Sequence, residues 1–204
     1  LNRVDRRQRQ MCIRDRCNRV LGKADTLLYR RGNFNGSWDN VICDAILIER
    51  DTEISFSPGF RWGTTLLPGQ SITIDDMYSQ TSMNYPEVYR MEMSGKVIKD
   101  ILEDVCDNIF NTDPFFQQGG DMVRVGGLRY TCSPKNKMGN RVNDLELIST
   151  GERLESNKNY VVGGWGSVNP NVNGPKIFNL LERYITKLKL VRPKNQNNIK
   201  ILGM

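Results

Sequence analysis

Val88-Tyr-Arg-Met-Glu-Met-Ser-Gly-Lys-Val-Ile-Lys-Asp-Ile-Leu-Glu-Asp-Val-Cys-Asp-Asn-Ile-Phe110 changes its period partway along. From Val88 to Met93 the side chains alternate, as they do in a strand. Ser94-Gly95 caps the next element, and from Lys96 apolar residues recur at 98, 101, 102, 105 and 109. That is the stripe of an amphipathic helix, the clearest in the chain. Strands and helices intermix on both sides of this segment without strict alternation. The expected class is therefore α+β, a mixed β-sheet flanked by helices.

Upstream, residues 19–31 read as a connector with an extended tail from Thr26. Gly32-Asn-Phe-Asn-Gly-Ser37 signals a turn and a helix start, with Ser37 or Asn35 as cap. The helix from Trp38 to about Arg50 carries Val41, Ile42, Ala45, Ile46 and Ile48 around so much of its circumference that it must be largely buried. Glu53-Ile-Ser-Phe56 alternates as a half-buried strand, Ser71–Ile74 as a short one, and Asp75–Ser79 as a helical turn.

Downstream, Met122–Val125 and Leu128–Thr131 are two strands hinged at Gly126-Gly127, or one strand with a bulge there. Leu145–Ile148 and Tyr160–Val162 are further strands. Asn173-Gly-Pro175 opens a helix with proline at its first position and an apolar stripe at 177, 178, 181, 184, 185 and 188. A basic tail from Lys189 carries a short strand candidate at Ile199–Leu202. There is no internal repeat.

At 204 residues the chain suits one domain with a real core, and no apolar run approaches the ~20 residues of a membrane span. The net charge of +6 is misleading as a sign of nucleic-acid binding. Residues 1–16 hold six arginines (3, 6, 7, 9, 14, 16) against Asp5 and Asp15, leaving the rest close to balance. The run 6–15 looks like translated adapter sequence, so residues 1–16 are set aside as non-native or disordered. The folded unit is expected over 17–193, with 194–204 as a tail.

The sequence contains no histidine. Serine and cysteine nucleophile systems built on histidine, and the ordinary zinc constellations, are thereby excluded. No catalytic or metal-ligating residue is assigned. The five cysteines (12, 17, 43, 106, 132) have no CxxC spacing and show no disulfide framework. Cys43 and Cys106 read as buried thiols. Asp75-Asp76 reads as a helix start, Glu103-Asp104 as a solvated helix face, and Arg90 as an exposed strand residue.

Four loops present exposed-looking polar or aromatic residues, 57–69, 82–87, 113–121 and 163–170, and all but 82–87 contain glycine. In Ser57-Pro-Gly-Phe-Arg-Trp-Gly-Thr-Thr-Leu-Leu-Pro-Gly69, two prolines and three glycines stiffen the backbone around Arg61 and Trp62. A guanidinium fork matches an oxyanion, and an indole beside it supplies an apolar wall. A solvated arginine beside a core tryptophan is the competing reading. Gly119-Gly120 could aim backbone amides at an anion, or be a plain turn. Trp165, between glycines, has no strand or helix period to bury it, which favours a ligand wall.

In order, these motifs resemble the C-terminal domain of the 5′-nucleotidase family. Phe56-Ser-Pro-Gly-Phe-Arg-Trp-Gly63 stands at that family's Gly-Gly-Ile-Arg segment, and Ile72–Asp76, Met91–Gly95 and Val123–Tyr130 follow in order. Tyr29–Gly36, Ser57–Thr64, Gln117–Val125 and Gly164–Asn169 are similar to signature runs of one branch, the SoxB thiosulfohydrolases of bacterial sulfur oxidation. The likeness spans roughly residues 20–193.

The resemblance implies a substrate-binding domain whose catalytic partner, a metallophosphoesterase-like N-terminal domain with two manganese ions, is missing from this chain. The chain alone would then be inactive. It implies release of sulfate from a cysteine-bound sulfonate on the SoxYZ carrier, in the periplasm, by attack of a metal-activated water, with no nucleic-acid or membrane partner. Arg61 would contact the substrate anion, and Phe60, Trp62, Asn84, Tyr85 and Trp165 would line the site with Gly119 and Gly120 as backbone donors. The family's nucleotidases hold a base between two aromatics; the loop Ser82-Met-Asn-Tyr-Pro86 departs from the first of those motifs, which favours a small sulfur oxyanion. A nucleotide phosphohydrolase and a non-catalytic anion-binding module remain as alternatives. The first requires Tyr85 and Trp165 to face one another at stacking separation.

Overall fold

The computed structural model describes residues 11–30, 32–60, 62–167, 169, 171–194 and 198–203. Arg61 lies outside the described residues, as do residues 1–10 of the segment set aside above and parts of the tail. Residues 11–17 are helical and mostly exposed. The elements that follow are β1 (Val20–Ala24), α1 (Ser37–Arg50), β2 (Ile54–Ser57), β3 (Ser71–Thr73), α2 (Ile74–Gln80), β4 (Tyr89–Ser94) and α3 (Gly95–Phe110). After a 3-10 turn at Pro114–Phe116 come β5 (Arg124–Gly126), β6 (Leu128–Cys132), β7 (Val142–Leu147), β8 (Asn159–Gly164), α4 (Ile177–Leu188), β9 (Leu190–Val191) and β10 (Ile199–Ile201).

The class is α+β. The central sheet has the order β4-β8-β2-β5 and is mixed, with β2 and β8 parallel and the outer pairs antiparallel. Two small three-stranded sheets, β3-β1-β9 and β10-β6-β7, complete the structure. β1 falls in the segment read as a connector, where Val20-Leu-Gly-Lys-Ala24 offers too short a pattern to identify a strand.

The central sheet is covered on both faces at β2, and that strand shows why its sequence misleads. Its alternation predicts one wet face, yet all four residues are buried. Ile54 and Phe56 join the core shared with Ile98, Leu102 and Cys106 of α3. Ser55 and Ser57 point the other way, under α1, where Ser55 Oγ donates to the Cys43 carbonyl at 3.0 Å. Small residues let α1 approach: a Cβ at Gly163 would sit 2.7 Å from Ile46, and one at Gly126 would sit 2.7 Å from Cys43 Cβ. The polar half of the alternation is thus a helix seat, satisfied by hydrogen bonds rather than water.

α1 is buried from Trp38 through Ile46, as its composition requires. Its N-cap is Gly36, with no side-chain cap. Ser37 instead accepts from the Tyr29 amide and donates to the Leu27 carbonyl, and Asn35 accepts from Gly36. α2 is closed by a capping box in which Thr73 and Asp76 exchange bonds, in line with Asp75-Asp76 as a helix start. α4 begins at Ile177, two residues after Pro175, because the Pro175 carbonyl is taken by the Val88 amide at 2.9 Å.

β5 and β6 are separate strands in different sheets, hinged at Gly127. Its φ of +72° and the Glu53 carbonyl, 2.1 Å from where a Cβ would lie, reserve the position for glycine.

Glu103 corrects another expectation. It is buried on α3, and its carboxylate accepts from the backbone amides of Gly139, Arg141 and Val142. Asp104 beside it is exposed, as expected for the pair. Arg90 is exposed as well, its guanidinium on the carbonyls of Arg50 and Asp51.

Candidate functional site

The register of the central sheet brings all four candidate loops to one edge. Ser57 pairs with Arg124, Phe56 with Gly164, and Gly164 with Tyr89. The carboxyl ends of β2 and β8 and the amino ends of β4 and β5 therefore open on the same side. The described residues of loops 58–62, 82–88, 119–123 and 165–169 meet there. Loop edges of this kind at strand ends are where ligands collect in mixed sheets. The Gly166 amide donates to the Tyr85 carbonyl at 3.1 Å, joining two of the loops directly.

Beneath the edge lies a buried charge cluster that the sequence did not announce. Arg30 Nε meets Asp39 Oδ1 at 2.6 Å, and Arg124 Nε lies 3.3 Å from Asp39 Oδ2. Arg124 also pairs with Asp121 at 3.3 Å and donates to the Gly32 carbonyl at 2.6 Å. Two cations face two anions in a dry interior, so the charges compensate locally. Burial pushes the Asp39 carboxyl up from its ordinary value, opposed by the attraction of Arg30 and Arg124. The only hints in the sequence are a carboxylate on an otherwise buried helix face and an arginine inside a strand.

Arg30 turns this cluster into a loop support. Its Nη2 donates to the Pro58 carbonyl at 2.9 Å and its Nη1 to the Gln80 carbonyl at 2.8 Å. Gln80 Nε2 in turn donates to the Thr64 carbonyl at 2.8 Å. The segment bearing Arg61 is fastened on both sides, at Pro58 and Thr64. The Arg30 guanidinium also lies 3.5 Å from the Phe60 ring centroid, and Trp62 stacks on the far side of that ring at 3.8 Å and 11°. The order is cation, phenyl, indole, with the outer indole about half exposed at 49%.

Phe60, Trp62 and Gly120 come together, with Gly59 and Asp121, around a shallow cleft of ≈ 400 Å³. A deeper neighbouring cleft of ≈ 480 Å³ is lined by Trp165, Tyr89, Met91, Val105 and Asp121 among others. Burial holds the Tyr89 hydroxyl up at about 12, so it stays protonated at neutral pH. Asn84 and Tyr85 line neither cleft; both are exposed, and Tyr85 adopts a left-handed φ of 62°.

Two candidate residues behave differently from their sequence reading. Trp165 is 3% exposed, with its Nε1 donating to Ser57 Oγ at 2.9 Å and its ring edge-on to Phe60. It is a core residue that touches the deeper cleft, rather than a free wall. No ring contact joins it to Tyr85 among the described residues. The Gly119 amide donates to the Asn108 carbonyl at 3.0 Å and so is spent within its own loop.

The family model described as 5′-nucleotidase, C-terminal domain matches residues 20–166. Among solved structures, the sulfate thiohydrolase SoxB of Thermus thermophilus, in complex with glycerol, is 36% identical over 97% of this chain and 38% of that one, with a TM-score of 0.87. A 5′-nucleotidase precursor, also from Thermus thermophilus, is 19% identical (TM-score 0.75, 95% of this chain, 41% of that one). The NAD nucleotidase of Haemophilus influenzae is 17% identical (TM-score 0.71, 95% and 40%). The latter two show the fold alone. The chain spans about two fifths of the length of these structures. No curated protein matches it.

Proposed function

This chain belongs to the 5′-nucleotidase C-terminal domain family, and on that premise we propose that it is the substrate-binding part of a SoxB-type thiosulfohydrolase. In the complete enzyme, water cleaves a sulfonate from a cysteine-bound sulfur adduct on the SoxYZ carrier. Sulfate leaves with the water oxygen, and the carrier keeps the reduced sulfur. The reaction belongs to thiosulfate oxidation and to the periplasm. No described helix is long and apolar enough to cross a membrane.

The observation that carries this reading is the burial of Trp165. A nucleobase sandwich needs two free aromatic faces, and here the second ring is locked to Ser57 inside the core. What stays open is the indole of Trp62 beside Gly120 and Asp121, and this reading places a small oxyanion there. In this proposal Arg61 meets the anion, and the Arg30 anchor and Phe60 hold its loop. A nucleotide phosphohydrolase is the second reading, favoured by the exposed Tyr85 ring.

The sequence has no histidine. Among the described residues no group of three or more His, Cys, Asp or Glu side chains could hold a metal ion. These residues do not fit a dinuclear manganese centre, and the proposal assigns manganese to residues outside this chain.

The test is turnover by the complete enzyme, carrying this domain, on the carrier-bound sulfonate and, in parallel, on nucleoside monophosphates. Arg61→Ala is expected to lower sulfonate turnover about 100-fold. Unchanged turnover refutes the role of Arg61. Hydrolysis of nucleotides without hydrolysis of the sulfonate replaces the first reading by the second.

A further inference from the structure

Cys106 and Cys132 are 26 residues apart in the sequence, one on α3 and one at the end of β6, yet their sulfurs lie 3.6 Å apart. Both side chains are fully buried. Neither belongs to the candidate site. The placement is built, since α3 is stitched to the segment after β6 on both sides of the pair. Glu103, one turn before Cys106, takes three amides between Gly139 and Val142, and Asp107, immediately after it, pairs with Arg141. The other buried thiol, Cys43, lies on α1 under β2, away from this pair, while Cys12 and Cys17 lie outside the core.

We infer that Cys106 and Cys132 are the site of a single disulfide that ties α3 to β6. Bond formation brings the sulfurs from contact to about 2.05 Å. The oxidant is an external disulfide, such as oxidised glutathione or the disulfide of a thiol oxidase. One protein thiolate attacks it, giving a mixed disulfide and releasing one external thiol. The second protein thiolate then attacks the protein sulfur of the mixed disulfide and expels the other external thiol. Two protein thiols lose two protons and two electrons, and the external disulfide is reduced to two thiols. Because both sulfurs are buried in the finished fold, the exchange takes place on the folding chain before the core closes. Such a bond persists in an oxidising compartment. Its readout is mass and stability, independent of any hydrolase activity.

The experiment unfolds and reduces the 204-residue chain, then refolds it in a glutathione redox buffer. Free thiols are alkylated under denaturing conditions and the peptides weighed. The expected result is a cross-linked 106–132 peptide, lighter by two hydrogens than its reduced pair. The urea midpoint of the oxidised chain should lie roughly 1 M above that of the reduced chain. Cys132→Ala should abolish this gain and Cys43→Ala should leave it. A chain with native circular dichroism in which both 106 and 132 are alkylated overturns the inference, as does a cross-linked chain with a lower midpoint than its reduced form. The comparison of oxidised and reduced wild type needs no variant to fold.

Discussion

Arg30→Met removes the charge beneath the candidate site and keeps an apolar stem against Phe60. Three interactions go at once. Asp39 loses its 2.6 Å partner and keeps Arg124, at 3.3 Å, and the buried carbonyl of Gln80 and the part-buried carbonyl of Pro58 each lose a charged donor. Removing one partner of a buried ion pair costs about 3–5 kcal/mol, because the other charge stays behind in a dry site. The side chains of Arg30 and Asp39 are 1% and 0% exposed, so solvent does not soften that cost. At roughly 2–4 °C per kcal/mol for a chain of this size, melting should fall by about 6–20 °C. Urea denaturation of the wild type, Arg30→Met, Asp39→Leu and the double variant measures both the loss and the coupling. The double variant should be less destabilised than the sum of the singles by more than about 1 kcal/mol. A loss below about 1 kcal/mol for Arg30→Met, or simple additivity, would refute the claim that this pair supports the loop.

Three other outcomes follow from the same reasoning. Glu103→Gln removes the charge and sets an NH2 donor against at least one of the three backbone amides, and should cost about 2–4 kcal/mol in urea unfolding, while Asp104→Asn should stay within about 0.5 kcal/mol. Ser57→Ala orphans the buried Trp165 N–H and should cost about 1–3 kcal/mol, read by denaturation and by a shift of the indole N–H resonance. Asp107 is held below its reference value of 3.8 by the hydrogen bond from Arg141 first and that from Asn111 second. A depressed carboxylate adds stability above its unfolded value, and that stability is lost as pH falls through the folded one. Urea midpoints of Asp107→Asn should therefore lie below those of the wild type near neutral pH and converge with them below about pH 4; parallel curves would contradict the assignment.

How legible each part was depended on whether its burial is one-sided. α3 is wet on one side, so its stripe at 98, 101, 102, 105 and 109 stood out, and β4, half-exposed along its length, was equally plain. β2 lies between two layers, and its serines counted as solvent-facing because a pattern cannot tell a hydrogen-bonded seat from water. Glu103 failed for the same reason: a carboxylate on a helix suggests solvent until three amides from 139–142 are seen around it. Trp165 was expected in the open because it sits between glycines, and its partner Ser57 is 108 positions away. The support cluster drew on positions 30, 39, 121 and 124, joined only once the sheet register is known. The loops themselves were recognisable, since Pro58, Gly59 and Gly119-Gly120 punctuate the chain wherever they are placed.

The stack that ends on Trp62 has an optical consequence. The chain has three tryptophans, and Trp38 and Trp165 are 0% and 3% exposed. Only the outermost ring of the Arg30–Phe60–Trp62 column meets solvent, so an aqueous quencher such as acrylamide will reach that indole and leave the other two bright. The quenchable fraction of emission is in effect a gauge fixed to the rim of the cleft. Any ligand, carrier or second domain that covers the rim will be seen as protection of that fraction, with no label attached.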